Sequence, residues 1–125
     1  MPKVLLIGTG GFLGALARYF LGGLVHRLSS SLFPLGTLAV NALGCFLIGI
    51  VMTLVLERGA IGPSGRLFVA IGFLGSFTTF STFGYETVEL LSDGEWTLAF
   101  SNIAAQLILG IGAVLAGRFL VRLFT

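Results

Sequence analysis

A chain of 125 residues that is 56% hydrophobic and 10% charged, with a mean hydropathy of +1.07, lies outside the range of soluble globular domains and reads as an integral membrane protein. Its formal charge of +2 comes from scattered residues with no basic run, which excludes nucleic acid as a partner. Cys45, the only cysteine, lies in an apolar run, so an intrachain disulfide is excluded as well.

The length suits one all-α domain, residues 1–125, of about four spans at roughly 20 residues each. The first is expected from Val4 to Leu24, closed by His26, Arg27 and the Ser29-Ser30-Ser31 cluster before Pro34. Glycines at 8, 11 and 14 imitate a dinucleotide-binding turn, but that turn needs an acidic residue about 20 positions on. No acidic residue precedes Glu57, so these glycines are read as helix-packing positions. Lys3, an apolar stretch and Ala15-Leu16-Ala17 also imitate a signal peptide, yet the apolar run resumes after Arg18 and the span is read as retained. Arg18 is either a vestibule charge or a snorkelling anchor.

The second span is expected from Leu35 to Leu56, ending at Glu57-Arg58-Gly59. Thr37 and Asn41 lie one turn apart and share a face. Two amide donors on Asn41 suit a dehydrating anion; interhelical glue is the plainer reading.

From Arg66 to about Leu91 runs the third span, and it contains the most informative stretch, Gly75-Ser76-Phe77-Thr78-Thr79-Phe80-Ser81-Thr82-Phe83. Hydrocarbon offers no water to five hydroxyls, so such a cluster must face protein or a hydrated path. Together with Gly72 and Gly75 it predicts a helix broken mid-span. Phe80 and Phe83 lie one turn apart, and the positive edges of their rings suit a weakly held anion, although Phe pairs at this spacing also serve ordinary packing. One turn beyond sits Glu86, either interfacial or paired, since a bare carboxylate would repel an anion.

After the turn Ser92-Asp93-Gly94-Glu95, the fourth span is expected from Trp96 to Phe124, with Trp96 at the interface. Gln106 within it has the same two readings as Asn41. Ser, Thr, His26 and Cys45 form no nucleophile and base constellation, which argues against an enzyme.

Three blocks then carry a resemblance over nearly the whole chain. Gly11-Phe12-Leu13-Gly14-Ala15-Leu16-Ala17-Arg18-Tyr19, Gly36-Thr37-Leu38-Ala39-Val40-Asn41-Ala42-Leu43-Gly44 and Gly72 through Phe83 resemble, in order, the first three helix motifs of the Fluc (CrcB) family of fluoride channels. The resemblance implies an antiparallel, dual-topology homodimer in the cell (inner or plasma) membrane, with two fluoride pathways. Phe80 and Phe83 match the ion-contacting phenylalanines, Asn41 the pore asparagine, and Ser81 and Thr82 the hydroxyl track. Gln106 matches a helix-four pore position where members differ; Arg18 and Glu86 match the first-helix arginine and the later acidic position. A structural sodium ion is implied at the dimer centre, held by the carbonyls of Gly75 and Thr78 from each subunit.

Four short helices offer little room to enclose a path, which independently asks for a partner. Orientation is less simple. Lys3, Arg58, Arg66, Arg118 and Arg122 collect on one side, against Arg27 and Arg18, and the positive-inside rule then favours both termini in the cytoplasm. A fixed orientation would suit a member that pairs with an oppositely biased chain. The rival function is a small dual-topology, proton-coupled multidrug exporter, which needs a carboxylate deep in a helix; the first helix has none. A packing subunit without a pathway would explain the glycines but not the phenylalanines.

Overall fold

A computed structural model describes residues 2–125, and every regular element among them is helical. Four stretches are long and apolar enough to cross a membrane: α1 (Lys3–Leu28), α2 (Leu35–Leu56), a third span (Pro63–Ser92) and a last helix (Trp96–Phe124). The third is composite. Its first part, α3, covers residues 63–77, its second, α4, is Phe80–Ser92, and the last helix is therefore α5.

The second and fourth spans have the bounds expected from sequence, whereas α1 continues past Leu24 to Leu28. His26 and Arg27 stand in its last turn, where the Arg27 cation complements the exposed carbonyl ends, so this segment prolongs the helix instead of closing it. Between α4 and α5 the chain reverses at Gly94, whose φ of 77° is in the left-handed region. Gly94 N–H donates to the Leu91 carbonyl and Glu95 N–H to the Leu90 carbonyl, the two bonds of a Schellman cap.

Glycines set which helices meet. Gly10 and Gly14 of α1 lie against α3 so closely that a methyl group on either would strike a backbone carbonyl, of Phe68 and Phe73 respectively. Gly49 of α2 and Gly117 of α5 do the same against Val114 and Phe46. Gly10 meets residues near Phe68 while Arg18 reaches Ser76, so α1 and the third span run in the same direction. Asn41 meets Gln106 and Glu57 meets Arg122, so α2 and α5 are parallel too. In bilayer hydrocarbon such close backbone approach supplies the van der Waals attraction that apolar burial supplies in water. A small core of Val40, Leu74 and Phe77 joins α1, α2 and α3, with the Phe73 and Phe77 rings stacked 5.8 Å apart.

One feature was not expected from the sequence: Arg66–Leu74 winds as a π-helix. The following Gly75 N–H reaches the Ala70 carbonyl, five residues back. Wide winding of this kind often lies beside functional breaks.

At the end shared by the α2 C-terminus and the α5 C-terminus, Glu57 accepts from Arg122 Nε at 3.0 Å, with Arg118 3.7 Å from the same carboxylate. The hydrogen bond from Arg122 holds the Glu57 carboxyl below its usual value of 4.5, assisted by the positive charges of Arg122, Arg118 and Arg58.

Candidate functional site

The site begins with the break. Thr78 (φ −83°, ψ 156°) and Thr79 (φ −148°, ψ 115°) are extended and separate α3 from α4. Gly72 and Gly75 remain inside helical winding, so the interruption falls on the paired threonines and not on the glycines.

Side chains take up the backbone groups that the break releases. Thr79 N–H donates to Asn41 Oδ1 at 2.8 Å, and Asn41 Nδ2 donates to the Thr79 carbonyl at 3.0 Å. Arg18 Nε donates to the Ser76 carbonyl at 3.1 Å. Thr79 also caps α4, its hydroxyl accepting from Thr82 N–H at 3.2 Å while donating to the Thr82 hydroxyl at 3.0 Å. Without these partners, buried peptide groups in hydrocarbon would each carry a desolvation cost of several kcal/mol. Arg18 is thus tied to the break through Nε, and it also lines one of the cavities beside the break.

The N-terminus of α4 begins within the third span, and it carries the partial positive charge of a helix start. Two cavities meet at Thr79. One, of about 360 Å³, is lined by Asn41, Thr79, Phe80, Phe83 and Gln106, with Gly75 and Thr78 at its wall. The other, of about 490 Å³, is lined by Arg18, Thr37, Thr79, Thr82 and Glu86, with His26 also present. Ser81 lines neither; its hydroxyl lies 3.4 Å from that of Thr79. The Phe80 and Phe83 rings meet edge to face at 5.5 Å and 64°. Phe80 is 82% exposed, so a single chain leaves this wall of the first cavity uncovered.

Three buried polar atoms have no hydrogen-bond partner among the described residues: Glu86 Oε1, Gln106 Nε2 and Asn102 Oδ1. Glu86 shares the larger cavity with Arg18, yet no ion pair joins them. Gln106 accepts from Asn41 Nδ2 at 3.1 Å through Oε1, which leaves its own amide nitrogen over. Among the described residues, no group of three or more His, Cys, Asp or Glu could hold a metal ion, so a cation here would need carbonyl or hydroxyl oxygens.

Sequence reading passed over Thr79 as an individual residue and Asn102 altogether. Asn102 is fully buried and its Nδ2 donates to the Thr87 hydroxyl at 3.0 Å, tying α5 to α4. The signal was present, because Asn102 stands one turn before Gln106 on the same face.

The family model described as "CrcB-like protein, Camphor Resistance (CrcB)" matches residues 5–118. A protein of Maridesulfovibrio salexigens named "Fluoride-specific ion channel FluC" is 42% identical over 123 residues, 98% of each chain. One of the same name from Geobacter sp. strain M21 is 48% identical over 108 residues, covering 86% of this chain and 87% of its own. "Fluoride-specific ion channel FluC 2" of Symbiobacterium thermophilum is 47% identical over 112 residues, covering 90% and 91%.

Proposed function

The chain belongs to the CrcB-like family of multi-pass membrane proteins, and from that premise we propose that it is a fluoride-selective passive channel that lets fluoride leave the cytoplasm. The observation that carries this reading is the broken third span. It brings the Phe80 and Phe83 rings, Thr78, Thr79 and the bonded amide pair of Asn41 and Gln106 around a cavity at the start of a half-helix, with Thr82 in the adjoining cavity. Each of these presents positive partial charge without a full cation, which suits an anion that must shed water, bind weakly and leave. Hydrogen fluoride that enters the cell dissociates at neutral pH, and the negative interior drives the trapped anion outward with no other energy source. The rival, a proton-coupled multidrug exporter, needs a carboxylate deep in a helix, and α1 carries none.

The reading includes a second copy in antiparallel orientation. Support comes from the exposed Phe80 ring, which a second chain would cover. It also includes a structural sodium ion on the Gly75 and Thr78 carbonyls. In an unbroken helix these would accept from the amides of Thr79 and Thr82, but both amides are diverted to side-chain oxygens. Two freed carbonyls per chain, all-oxygen and uncharged, fit a hard monovalent cation, whose chemistry there would be to hold two breaks together. Arg18 is bound inside the bundle, which sharpens the charge asymmetry between the two ends.

Fluoride efflux from proteoliposomes containing the purified chain, followed with a fluoride electrode under a potassium diffusion potential, tests the function. Efflux that follows voltage, ignores a proton gradient and persists in excess chloride is expected; no fluoride efflux above empty liposomes would refute it. For orientation, single cysteines at Ser30 or Ser64 in a Cys45→Ala background should label from both sides of intact cells. One-sided labelling with no flux from the chain alone would instead indicate an oppositely biased partner chain.

A further inference from the structure

α2 and α5 meet at Gly49, so closely that a methyl group there would strike the Val114 carbonyl. Two helices that touch at a glycine leave a trough beside the contact. Here it is a cavity of about 290 Å³ that follows α2 from Ile48 to Glu57, about 13 Å at the helical rise, and passes Val114 and Arg118 of α5. Its walls are apolar. The one hydroxyl in it, on Thr53, is turned to the Gly49 carbonyl at 2.7 Å and has no proton left to offer. Leu56 and the α5 residues Leu115 and Phe119 are exposed around it, so the trough opens on hydrocarbon.

Charge gathers at its mouth. Arg122 engages both oxygens of the Glu57 carboxylate. Arg118 stands one turn deeper in the membrane than Arg122 and is left 3.7 Å from that carboxylate, too far for a hydrogen bond, with no other polar partner among the described residues. Arg58 lies close enough to act on Glu57 as well. Three guanidinium groups thus face one carboxylate and two helix C-termini, each worth roughly half a negative charge, which leaves about one positive charge uncompensated.

We propose that this trough is a site for an anionic phospholipid, with an acyl chain laid along Ile48, Met52, Leu56 and Val114 and the phosphate on Arg118. The occupant has to combine a long apolar tail with a single negative charge at headgroup depth, and a phosphodiester lipid with an uncharged head does both. A zwitterionic lipid brings an ammonium group to an end of the bundle that already carries Lys3, Arg58, Arg66, Arg118 and Arg122. Free phosphate has nothing to place in the apolar trough. The Glu57 and Arg122 pair then has a role of its own: by occupying the carboxylate it keeps Arg118 available. The site concerns what the bilayer supplies and stands apart from the fluoride reading.

Native mass spectrometry of the purified chain, mixed with phosphatidylglycerol or phosphatidylcholine of the same acyl chains, tests this. Wild type should retain phosphatidylglycerol in preference, and Arg118→Gln should lower that retention about fivefold, the worth of one basic residue at an anionic surface. Arg118→Lys keeps the charge without the fork and should fall between the two. Met52→Trp fills the trough without altering charge and should lower retention as well, whereas Arg66→Gln, at the same end but outside the trough, should leave it nearly unchanged. Excess inorganic phosphate should not displace the lipid. Equal retention of the two lipids by wild type, or undiminished retention in both Arg118→Gln and Met52→Trp, overturns the proposal. A loss from Arg66→Gln as large as that from Arg118→Gln also overturns it, by reducing the effect to general surface attraction, and so does displacement by inorganic phosphate. If Met52→Trp instead shifts the elution volume to that of a smaller assembly, the trough belongs to a second copy and not to lipid.

Discussion

Asn41 and Thr79 exchange two hydrogen bonds across the bundle, the side-chain amide of one closing on both backbone polar groups of the other. α2 thereby supplies to the break what the helix ladder no longer does. Asn41→Leu keeps similar bulk but strands both groups, and a buried unsatisfied backbone group costs about 1–3 kcal/mol. The expected result is a lower thermal midpoint in detergent, together with slower fluoride efflux. A midpoint equal to wild type would show that water reaches the break and satisfies it.

Phe80→Ile and Phe83→Ile test the rings separately from their bulk. Each keeps an apolar side chain while removing the positive ring edge, so efflux should fall by about tenfold or more with the elution volume of the assembly unchanged. Wild-type efflux from both would reduce the pair to packing.

The seam between α1 and α3 has no space for a side chain at Gly14, where a methyl group would meet the Phe73 carbonyl. Gly14→Ala should destabilise by about 1–3 kcal/mol, the usual range for overpacking. Gly23→Ala, on the same helix with nothing within 4 Å of the new methyl, is the control and should stay within about 0.5 kcal/mol of wild type. Equal effects of the two in thermal unfolding would mean that the helices part more readily than their packing implies.

Glu57 gives a pH-dependent contribution of known sign. Its carboxyl is held below the usual 4.5 by Arg122, so the folded state favours the charged form. The associated stability is fully present above 4.5 and is lost as pH falls through the lower folded value. Comparing thermal midpoints of wild type and Glu57→Gln, the gap should be constant near neutrality and shrink on acidification. Because the carboxylate is solvent-exposed, the gap should also narrow in high salt. A gap that widens in acid would contradict the assignment.

What the sequence disclosed follows from which forces act over short distances. Four apolar runs bounded by Pro, Gly and charge give four spans, and the bounds of α2 and α5 are local consequences of Pro34, Glu57, Gly94 and Trp96. That the third span is interrupted was legible from the hydroxyl cluster, but not where. The glycines looked like the weak points, yet Gly72 is packed against Ile7 and Gly10 of α1 and Gly75 stays in the winding, while Asn41, 38 residues from Thr79 in sequence, holds the break at Thr79. The π-helix was hidden for the same reason: nothing in Arg66-Leu67-Phe68-Val69 distinguishes it from α, and the tertiary fit of Gly10 and Gly14 onto that stretch is not a local property. Among the site residues, periodicity grouped Phe80 with Phe83 and Thr37 with Asn41. It could not reveal that Asn41 and Gln106 are bonded, nor that Arg18 is tied to Ser76.

If a second copy completes the pathway, the exposure of the Phe80 ring links output to abundance. On the homodimer reading proposed above, this ring, 82% open on one chain and lining the first cavity, is covered only when a second copy joins it in the same membrane. Where chains are sparse and their association reversible, the number of completed pathways rises with the square of the number of chains and not in proportion to it. A cell that halves its expression would then lose about three quarters of its efflux capacity, and one that doubles it would gain about fourfold, until nearly every chain is paired. A channel completed by pairing would have a built-in threshold of expression, set by how tightly one membrane-embedded face finds its complement.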